Sequence, residues 1–316
     1  MSEPPRLFDR ALHRRRLDRA AGAGEGADFL RRRAAEDIAE RLRAVRRDFP
    51  VAVDLGARLG AMAAALAGGD AGGKVGWLVE ADLSAAMLAG RAGPRLVADE
   101  ERLPFADASL DLVVSALALH WTNDLVGALI QIRRALKPDG LFLGAILGGA
   151  TLTELRQALT LAELDLKGGA GPRVSPFADA IDGAGLLQRA GFSMPVADVD
   201  RVTVRYGDPI ALMRDLRAMG ETNVLAGAGG RPLTRGLLAR ACEVYAERFA
   251  GADGRIAATF EIITLTGWAP HPDQQAPLRP GSAKMRLADA LGTREVSAGE
   301  SANSLLPEGE EGARDA

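Results

Sequence analysis

The chain contains little cysteine, lysine, histidine and aromatic side chain. Cys242 is the only cysteine among its 316 residues, so an internal disulfide is impossible and cystines cannot indicate the redox compartment. The net charge of −3 gives no electrostatic reason to expect a nucleic-acid partner. No apolar run approaches the ~18 residues of a membrane span. No His, Asp and Glu residues cluster at metal-ligand spacing, so we expect no metal site.

Arginine supplies almost all of the positive charge, and 37 glycines are spread along the chain. This bias makes any single glycine or arginine a weak signal. A hydrophobic content of 47% and a charged content of 26% are typical of a globular protein. The length suffices for one large domain or two small ones with a substantial core. Lysine occurs only at Lys74, Lys137, Lys167 and Lys284.

The first 48 residues are rich in arginine, as mitochondrial transit peptides are. Such peptides are poor in acids, however, and this segment carries Asp9, Asp18, Glu25 and Asp28. After Asp28, apolar residues recur on one face at helical spacing. We therefore predict that residues 1–48 form a helical segment that packs on the domain.

Short apolar runs then alternate with helical segments. Strand–helix alternation implies right-handed crossovers, and hence an α/β fold with a mostly parallel sheet and helices on both faces. In open sheets of this kind, ligands bind at the carboxyl ends of the strands. The predicted strands are Val51–Leu55, Val75–Glu80, Arg95–Ala98, Leu110–Ala116 and Leu141–Ile146, and the predicted helices between them are Ala61–Ala67, Ser84–Gly90 and Leu125–Leu136.

The segment DLGARLG follows the first predicted strand and begins with Asp54. Gly56 allows a tight turn after the strand, and Gly60 allows close approach of helix and sheet. Arg58 stands where a cofactor loop normally has glycine, so this loop is also compatible with an ordinary strand–helix turn. Arg58 has three possible roles: obstructing the ligand, pairing with a ligand carboxylate, or pointing outward. We expect the outward orientation.

Acidic residues follow the next two strands. Asp82 stands roughly where an acid receives ribose hydroxyls, about 20 residues after the glycines. The alternative role for Asp82 is as a helix N-cap, which is compatible with ligand binding. Asp99 and Glu100 follow the third strand, at the height expected for an adenine amino group.

Three segments resemble class I S-adenosylmethionine-dependent methyltransferases of the UbiE/BioC-like branch: DLSAAML, LPFADASLDLVVS and LKPDG. A longer resemblance covers roughly residues 8–290. It rests on FDRALHRRRLDRAA, LALHWTNDLVGAL, VSPFADAIDGAGLLQRAGF, LMRDLRAMGETN and RPGSAKMRLADA. These segments are similar to the complex I assembly factor 5 family and its bacterial members. The resemblance implies a seven-stranded methyltransferase sheet with a C-terminal helical lid insertion.

The resemblance implies S-adenosylmethionine as cofactor and hydroxylation of an arginine on the quinone-site Fe–S subunit of complex I. It implies a cytoplasmic location in a bacterium, peripheral to the inner membrane where that client is bound. The sequence departs from the family at Arg58, where the pattern has glycine, and at Ala57, where cysteine is common. The cofactor-binding positions implied are Asp54, Gly56, Ala57, Gly60, Asp82, Leu83, Asp99, Glu100 and Ser115.

His120 and Trp121 follow the fourth predicted strand, where substrate-facing residues usually lie. An imidazole at this position is a candidate general base. Alternatively, His120 and Trp121 close the pocket by packing. We take this pair as the candidate catalytic residues. Glu221, at the end of a predicted helix, is either part of its cap or, by the family resemblance, part of a substrate channel.

We predict four regions: 1–48 is helical, 49–150 is the cofactor-binding core, 151–270 completes the sheet and carries the lid, and 271–316 is an extended, largely disordered tail. SMPVADVDRVTVRY and AATFEIITLTGWA alternate as an antiparallel strand pair would.

Three functions fit the sequence. The first is an enzyme that modifies a protein arginine, the second an assembly chaperone with little catalysis, and the third a small-molecule methyltransferase. Fold alone does not decide among them.

Overall fold

The computed structural model describes residues 6–23, 25–68, 72–179, 182–227 and 232–274, with 285–286, 288–289 and 292–293. The chain divides into two compact units, residues 1–272 and 273–316. The sheet and the candidate site belong to the first unit. Most of the predicted tail, 271–316, lies outside the described residues.

Strands and helices alternate along the first unit, as the sequence predicts. The strands are β1 (Phe49–Leu55), β2 (Val75–Asp82), β3 (Arg95–Val97), β4 (Leu110–Ala116), β5 (Leu136–Leu147), β6 (Ser193–Tyr206) and β7 (Ile256–Trp268). The helices are α1 (Arg10–Ala20), α2 (Phe29–Ala44), α3 (Ala61–Ala67), α4 (Leu125–Ala135), α5 (Thr153–Lys167), α6 (Gly183–Arg189), α7 (Pro209–Ala218) and α8 (Arg235–Phe249). No helix within the described ranges is long and apolar enough to cross a membrane.

The seven strands form one sheet in the order β3-β2-β1-β4-β5-β7-β6. β1 pairs in parallel with β2 and β4, which brings the carboxyl ends of these strands to one edge. β7 runs antiparallel to both β5 and β6, so the predicted antiparallel pair is confirmed. The mostly parallel seven-stranded sheet of the predicted fold class is therefore present.

Two apolar cores lie on opposite faces of the sheet. Leu112 and Leu141 point to the core under α2, α3, α5, α7 and α8. Their neighbours Val113 and Phe142 point to the other core, under α4 and α6. This alternation follows from the two-residue period of a strand, and burial on both faces explains the continuous apolar runs of β4 and β5.

Helix α1 crosses the carboxyl ends of the central strands. Asp9 caps it by accepting a hydrogen bond from the Leu12 amide at 2.8 Å, and the Asp9 amide donates to the Val224 carbonyl at 2.8 Å. Further along α1, Asp18 accepts the Ser84 hydroxyl at 2.6 Å, just after β2. The N-terminal segment is therefore helical in α1 and α2, as predicted, and α1 covers the end of the sheet where ligands bind.

The predicted helix Ser84–Gly90 is wrong, because this segment forms successive turns. The Ser84 hydroxyl accepts the Met87 amide at 3.2 Å, which closes the first turn. Gly90 then adopts a φ of +76°, outside the helical range. A helix of one or two turns forms too few hydrogen bonds to offset the entropy cost of nucleation. The periodic apolar residues of this segment therefore pack without forming a helix.

Candidate cofactor and substrate site

The glycine loop after β1 forms the tight turn that the sequence predicts. Gly56 has a φ of +79° and Gly60 a φ of +84°, both favourable only for glycine. The amides of Gly56 and Ala57 donate to the Ala81 carbonyl at 2.8 and 3.0 Å, which ties the loop to β2. A Cβ atom at Gly56 would lie 2.1 Å from the Cβ of Ala118, so the loop approaches the segment after β4 too closely for a side chain.

Asp54, at the end of β1, is 1% exposed, and neither of its carboxylate oxygens has a hydrogen-bond partner among the described residues. Burial raises the pKa of this carboxyl to about 8, and the neighbouring carboxylates of Glu80 and Asp82 add to the shift. An unpaired buried carboxyl of this kind requires a partner from outside the chain or a proton.

Arg58 does not point outward, and this expectation is wrong. The side chain is fully buried, and its Nη1 donates to Asp82 Oδ2 at 2.7 Å. Its own amide donates to the same oxygen at 2.9 Å. The buried carboxylate of Asp82 stabilises the arginine in place, and this outweighs the strain of a φ of +50° in a non-glycine residue.

Arg10, on α1, binds the acids that follow β3. Its Nη2 donates to Asp99 Oδ1 at 2.6 Å and contacts Glu100 Oε2 closely. Arg58 Nη1 lies 3.9 Å from the other oxygen of Glu100. Burial alone would lower the pKa of Arg58, but the carboxylates of Asp82 and Glu100 raise it, so the guanidinium stays charged.

The site therefore has the acids and glycines that fit S-adenosylmethionine, but two of the chain's own guanidiniums lie among them. Asp54 is an unpaired carboxyl suited to an ammonium group, and Asp82 is a carboxylate suited to hydroxyls. Buried polar atoms without partners in the described residues include Arg58 Nε and Nη2 and Glu100 Oε1. Such atoms indicate a ligand or water that completes the site.

Leu83 and Ser115, two other predicted cofactor positions, make contacts within the protein. Leu83 packs in a small apolar cluster with Leu17 of α1 and Met87. The Ser115 hydroxyl donates to the Leu55 carbonyl at 2.7 Å and so joins β4 to the end of β1. Both residues support the loop and α1, and a direct contact with the cofactor stays a prediction.

Glu221 joins the two candidate catalytic residues. Its Oε2 lies 3.1 Å from His120 Nε2 and accepts the Trp121 indole N–H at 2.7 Å. Its Oε1 accepts Arg31 Nη2 at 3.3 Å, and Arg31 Nη1 binds Asp28 at 3.0 Å. Burial would raise the pKa of Glu221, but His120 and Arg31 lower it, so this carboxylate is ionised.

The Glu221 cluster opens onto a cavity of about 660 Å³. α1, α2, α5 and α7 supply side chains to its wall, as do the segments around residues 172–177 and 219–227. Trp121 and Glu221 lie at its border, and a substrate-facing role for them stays a prediction. The roles of His120 and Trp121 in catalysis stay predictions. Within the described part of the chain, no group of three or more His, Cys, Asp or Glu side chains could hold a metal ion.

Sequence reasoning missed Arg10 and Arg31. Both lie in arginine-rich helical stretches, where nothing local distinguishes a buried arginine from a solvated one. The only available signal for Arg31 was its place among the apolar positions of α2, where it is buried with Leu30 and Ala34. A charged residue on the core-facing stripe of a helix indicates a paired buried charge.

The pKa of Asp54 gives a testable pH dependence. The pKa of Asp54 is higher in the folded than in the unfolded chain, so its protonation contributes to the free energy of unfolding. That contribution is fully present below about pH 4 and is lost as the pH rises towards about 8. We expect Asp54→Asn to remove this loss. Across that window, the free energy of unfolding of the variant should rise relative to that of the parent by about 1 kcal/mol per pH unit, measured by urea unfolding without ligand. Asp107→Asn, at an exposed position, serves as the control, and equal pH slopes in the parent and Asp54→Asn would contradict the prediction.

Comparison with known proteins agrees with this geometry. Residues 53–144 match the family described as "Methyltransferase domain". The crystal structure of the YcgJ protein from Bacillus subtilis superposes with a TM-score of 0.50 at 16% identity, covering 74% of this chain and 98% of that one. The sheet order, the glycine loop and the matched domain define a protein of the S-adenosylmethionine-dependent methyltransferase class.

The similarity to curated relatives extends over nearly the whole chain. The mitochondrial arginine-hydroxylase NDUFAF5 of Danio rerio is 40% identical over 90% of this chain and 89% of its own length. The Homo sapiens protein of that name is 39% identical over 96% of this chain and 86% of its own length. A malonyl-[acyl-carrier protein] O-methyltransferase of Methylovorus is 35% identical over 86% of this chain and 95% of its own length. The chain belongs to the methyltransferase-fold family of the arginine-hydroxylase NDUFAF5.

Proposed function

We propose that this protein acts in the assembly of respiratory complex I by hydroxylating an arginine of one of its subunits. The client that the family resemblance implies is the quinone-site Fe–S subunit, and a cytoplasmic location beside the inner membrane follows from that client. The proposal is supported by the identity of about 40% to arginine-hydroxylases over most of the chain.

The observation that carries the proposal is the position of Glu221. This buried carboxylate borders the cavity, and it already binds one guanidinium, that of Arg31, at 3.3 Å. A carboxylate held ionised beside an imidazole and an indole can bind and orient an incoming guanidinium, because charge-assisted hydrogen bonds are strong where water is excluded. His120, 3.1 Å from the same carboxylate, is positioned to take or give a proton.

S-adenosylmethionine, when bound, supplies an electrophilic methyl carbon on a sulfonium. We assign Asp54 to its ammonium group, Asp82 to its ribose hydroxyls, and Asp99 with Glu100 to its adenine end. Gly56 and Gly60 shape the loop around it. Replacing an arginine C–H by C–OH requires an oxygen donor and, for dioxygen, two electrons. We therefore assign to the chain's own residues only binding, orientation and proton transfer.

The second candidate function, an assembly chaperone with little catalysis, is favoured by one observation. Arg58 binds Asp82 at 2.7 Å and Arg10 binds Asp99 at 2.6 Å, so two of the carboxylates needed by the cofactor are already neutralised. The third candidate, a small-molecule methyltransferase, is favoured by the 35% identity to an O-methyltransferase.

Mass spectrometry of complex I subunits tests the hydroxylation. We expect a deletion strain to lose the mass of one oxygen atom on an arginine, and the wild-type gene to restore it. Glu221→Gln should restore little of the mark, because the neutral amide binds a guanidinium more weakly. Glu247→Gln, a change at an exposed site, should restore it fully. Loss of a methylene mass instead would indicate methyl transfer. Reduced complex I with every arginine mass unchanged would support the chaperone function.

A further inference from the structure

The cavity beside Glu221 is walled mainly by apolar side chains. Its volume of about 660 Å³ lies within the range of small-molecule sites and exceeds what one arginine side chain would fill. Hydrocarbon surface lines most of its length, so beyond the Glu221 border it offers a charged side chain little to offset the loss of hydration. The apolar lining includes Leu12, Leu30, Leu155, Leu159, Phe177 and Phe260.

Polar groups with unmet hydrogen bonds interrupt this apolar wall. The Ser175 hydroxyl belongs to a residue that is only 3% exposed, and it has no hydrogen-bond partner among the described residues. The Thr222 hydroxyl is likewise buried and unpartnered. The Asn223 side chain donates to the Arg173 carbonyl at 3.0 Å, which joins the two segments that carry these hydroxyls. Buried hydroxyls without partners indicate a ligand that bears oxygen.

The charges around the cavity favour an anionic group on that ligand. Four arginines line it, including Arg16 and Arg217, against two acids, Asp28 and Glu221. Both acids already bind Arg31. One of the four arginines, Arg173, is already compensated by Glu163 at 2.6 Å. Arg16 Nε is buried without a partner in the described residues, and burial together with Arg19 and Arg217 lowers the pKa of Arg16. This positive cluster therefore has room for a carboxylate.

We infer that the cavity binds a single-chain amphipathic carboxylate of the fatty-acid type. The hydrocarbon chain of the ligand lies along the apolar side chains of the cavity. The Ser175 and Thr222 hydroxyls donate hydrogen bonds to the carboxylate, and Arg16 compensates the carboxylate charge. The inference goes beyond the proposed function because it requires neither the cofactor nor a protein client. The ligand occupies the cavity at whose border Glu221 would bind the client guanidinium. This site adds a lipid-like ligand to a protein expected to work beside a membrane.

Fluorescence quenching tests the site on the full chain. Trp121 lines the cavity, so dodecanoate brominated at the end of its chain should quench its emission saturably, and plain dodecanoate should reverse the quenching. The parent should carry Trp77→Phe, which removes an indole that is 61% exposed. An equal chain with a trimethylammonium head should bind at least about tenfold more weakly, because the cavity carries excess positive charge.

Variants locate the binding. Leu155→Phe shortens the cavity, and Arg16→Gln removes the cation, so each should raise the dissociation constant about tenfold or more. Ser175→Ala combined with Thr222→Val should weaken binding as well, while Thr203→Val, on exposed β6, should leave it unchanged. Absence of saturable quenching would overturn the inference. So would binding that neither Leu155→Phe nor Arg16→Gln alters, or binding of an arginine peptide in place of dodecanoate.

Discussion

Replacement of Arg58 by glycine is expected to tighten S-adenosylmethionine binding by about tenfold or more and to destabilise the protein without ligand. In the parent, ribose hydroxyls reach Asp82 only after Arg58 Nη1 leaves it, and the two groups are now 2.7 Å apart in a fully buried pair. Removing one partner of a buried pair costs about 3–5 kcal/mol. Relief of the positive φ at this position returns about 1–2 kcal/mol.

Calorimetric titration and urea unfolding of the same samples measure both effects. Arg58→Met keeps bulk but removes charge, so it separates obstruction by the side chain from competition for Asp82. Arg134→Ala, which breaks an exposed pair with Asp107, should change neither quantity. Weaker binding by Arg58→Gly would show that Arg58 contacts the cofactor carboxylate. An unchanged dissociation constant would show that Arg58 does not compete for Asp82.

Gly56→Ala is expected to lower the free energy of unfolding strongly, although it adds only one methyl group. In Gly56→Ala, the new Cβ would lie 2.1 Å from the Cβ of Ala118, and both atoms are fixed to backbone. Overpacking of this kind costs about 1–3 kcal/mol. The φ of +79° adds about 1–2 kcal/mol for a residue with a Cβ. We expect a total of about 3 kcal/mol, measured by urea unfolding.

The double variant Gly56→Ala with Ala118→Gly identifies the cause. The double variant removes the opposing methyl group of Ala118. Its loss of unfolding free energy should therefore be about 1–2 kcal/mol smaller than the sum of the losses in the two single variants, while the cost of the positive φ remains. Gly73→Ala, where a Cβ meets nothing within 4 Å, should change stability little. A destabilised Gly56→Ala without coupling to Ala118 would show that the backbone conformation alone requires glycine.

The fold followed from local patterns in the sequence. β4 spans Leu110–Ala116 and α3 spans Ala61–Ala67, with the predicted bounds. The run of small apolar residues in α3 ends at Gly68, the residue that caps the helix. The segment Ser84–Gly90 misled the prediction because its small apolar residues fit both a helix and packed turns. β5 begins at Leu136, five residues before its predicted start at Leu141. The LKPDG segment is part of the strand, and Leu136 pairs with Leu110 of β4.

The acids of the candidate site were also visible locally, at the ends of β1, β2 and β3. Their partners were not. Arg58 lies within the loop itself, yet its orientation depends on Asp82, 24 residues away. Glu221 meets Trp121 across 100 residues of sequence. A pattern of neighbouring residues carries no information about which distant side chain a long, flexible arginine or glutamate will reach.

Consecutive residues were enough to predict the mostly parallel sheet, the glycine loop after β1 and the row of acids at the strand ends, because each depends on local periodicity and conformational preference. The partners of the buried charges depend on how distant segments pack. Arg58 binds Asp82, Arg10 binds Asp99 and Glu100, and the Glu221 cluster opens onto an apolar cavity. The Arg58 contact joins the glycine loop to the end of β2, whereas the contacts of Arg10 and Glu221 involve α1 and the segment after α7. A buried charge must be paired wherever it lies, and the fold alone determines which partner is within reach.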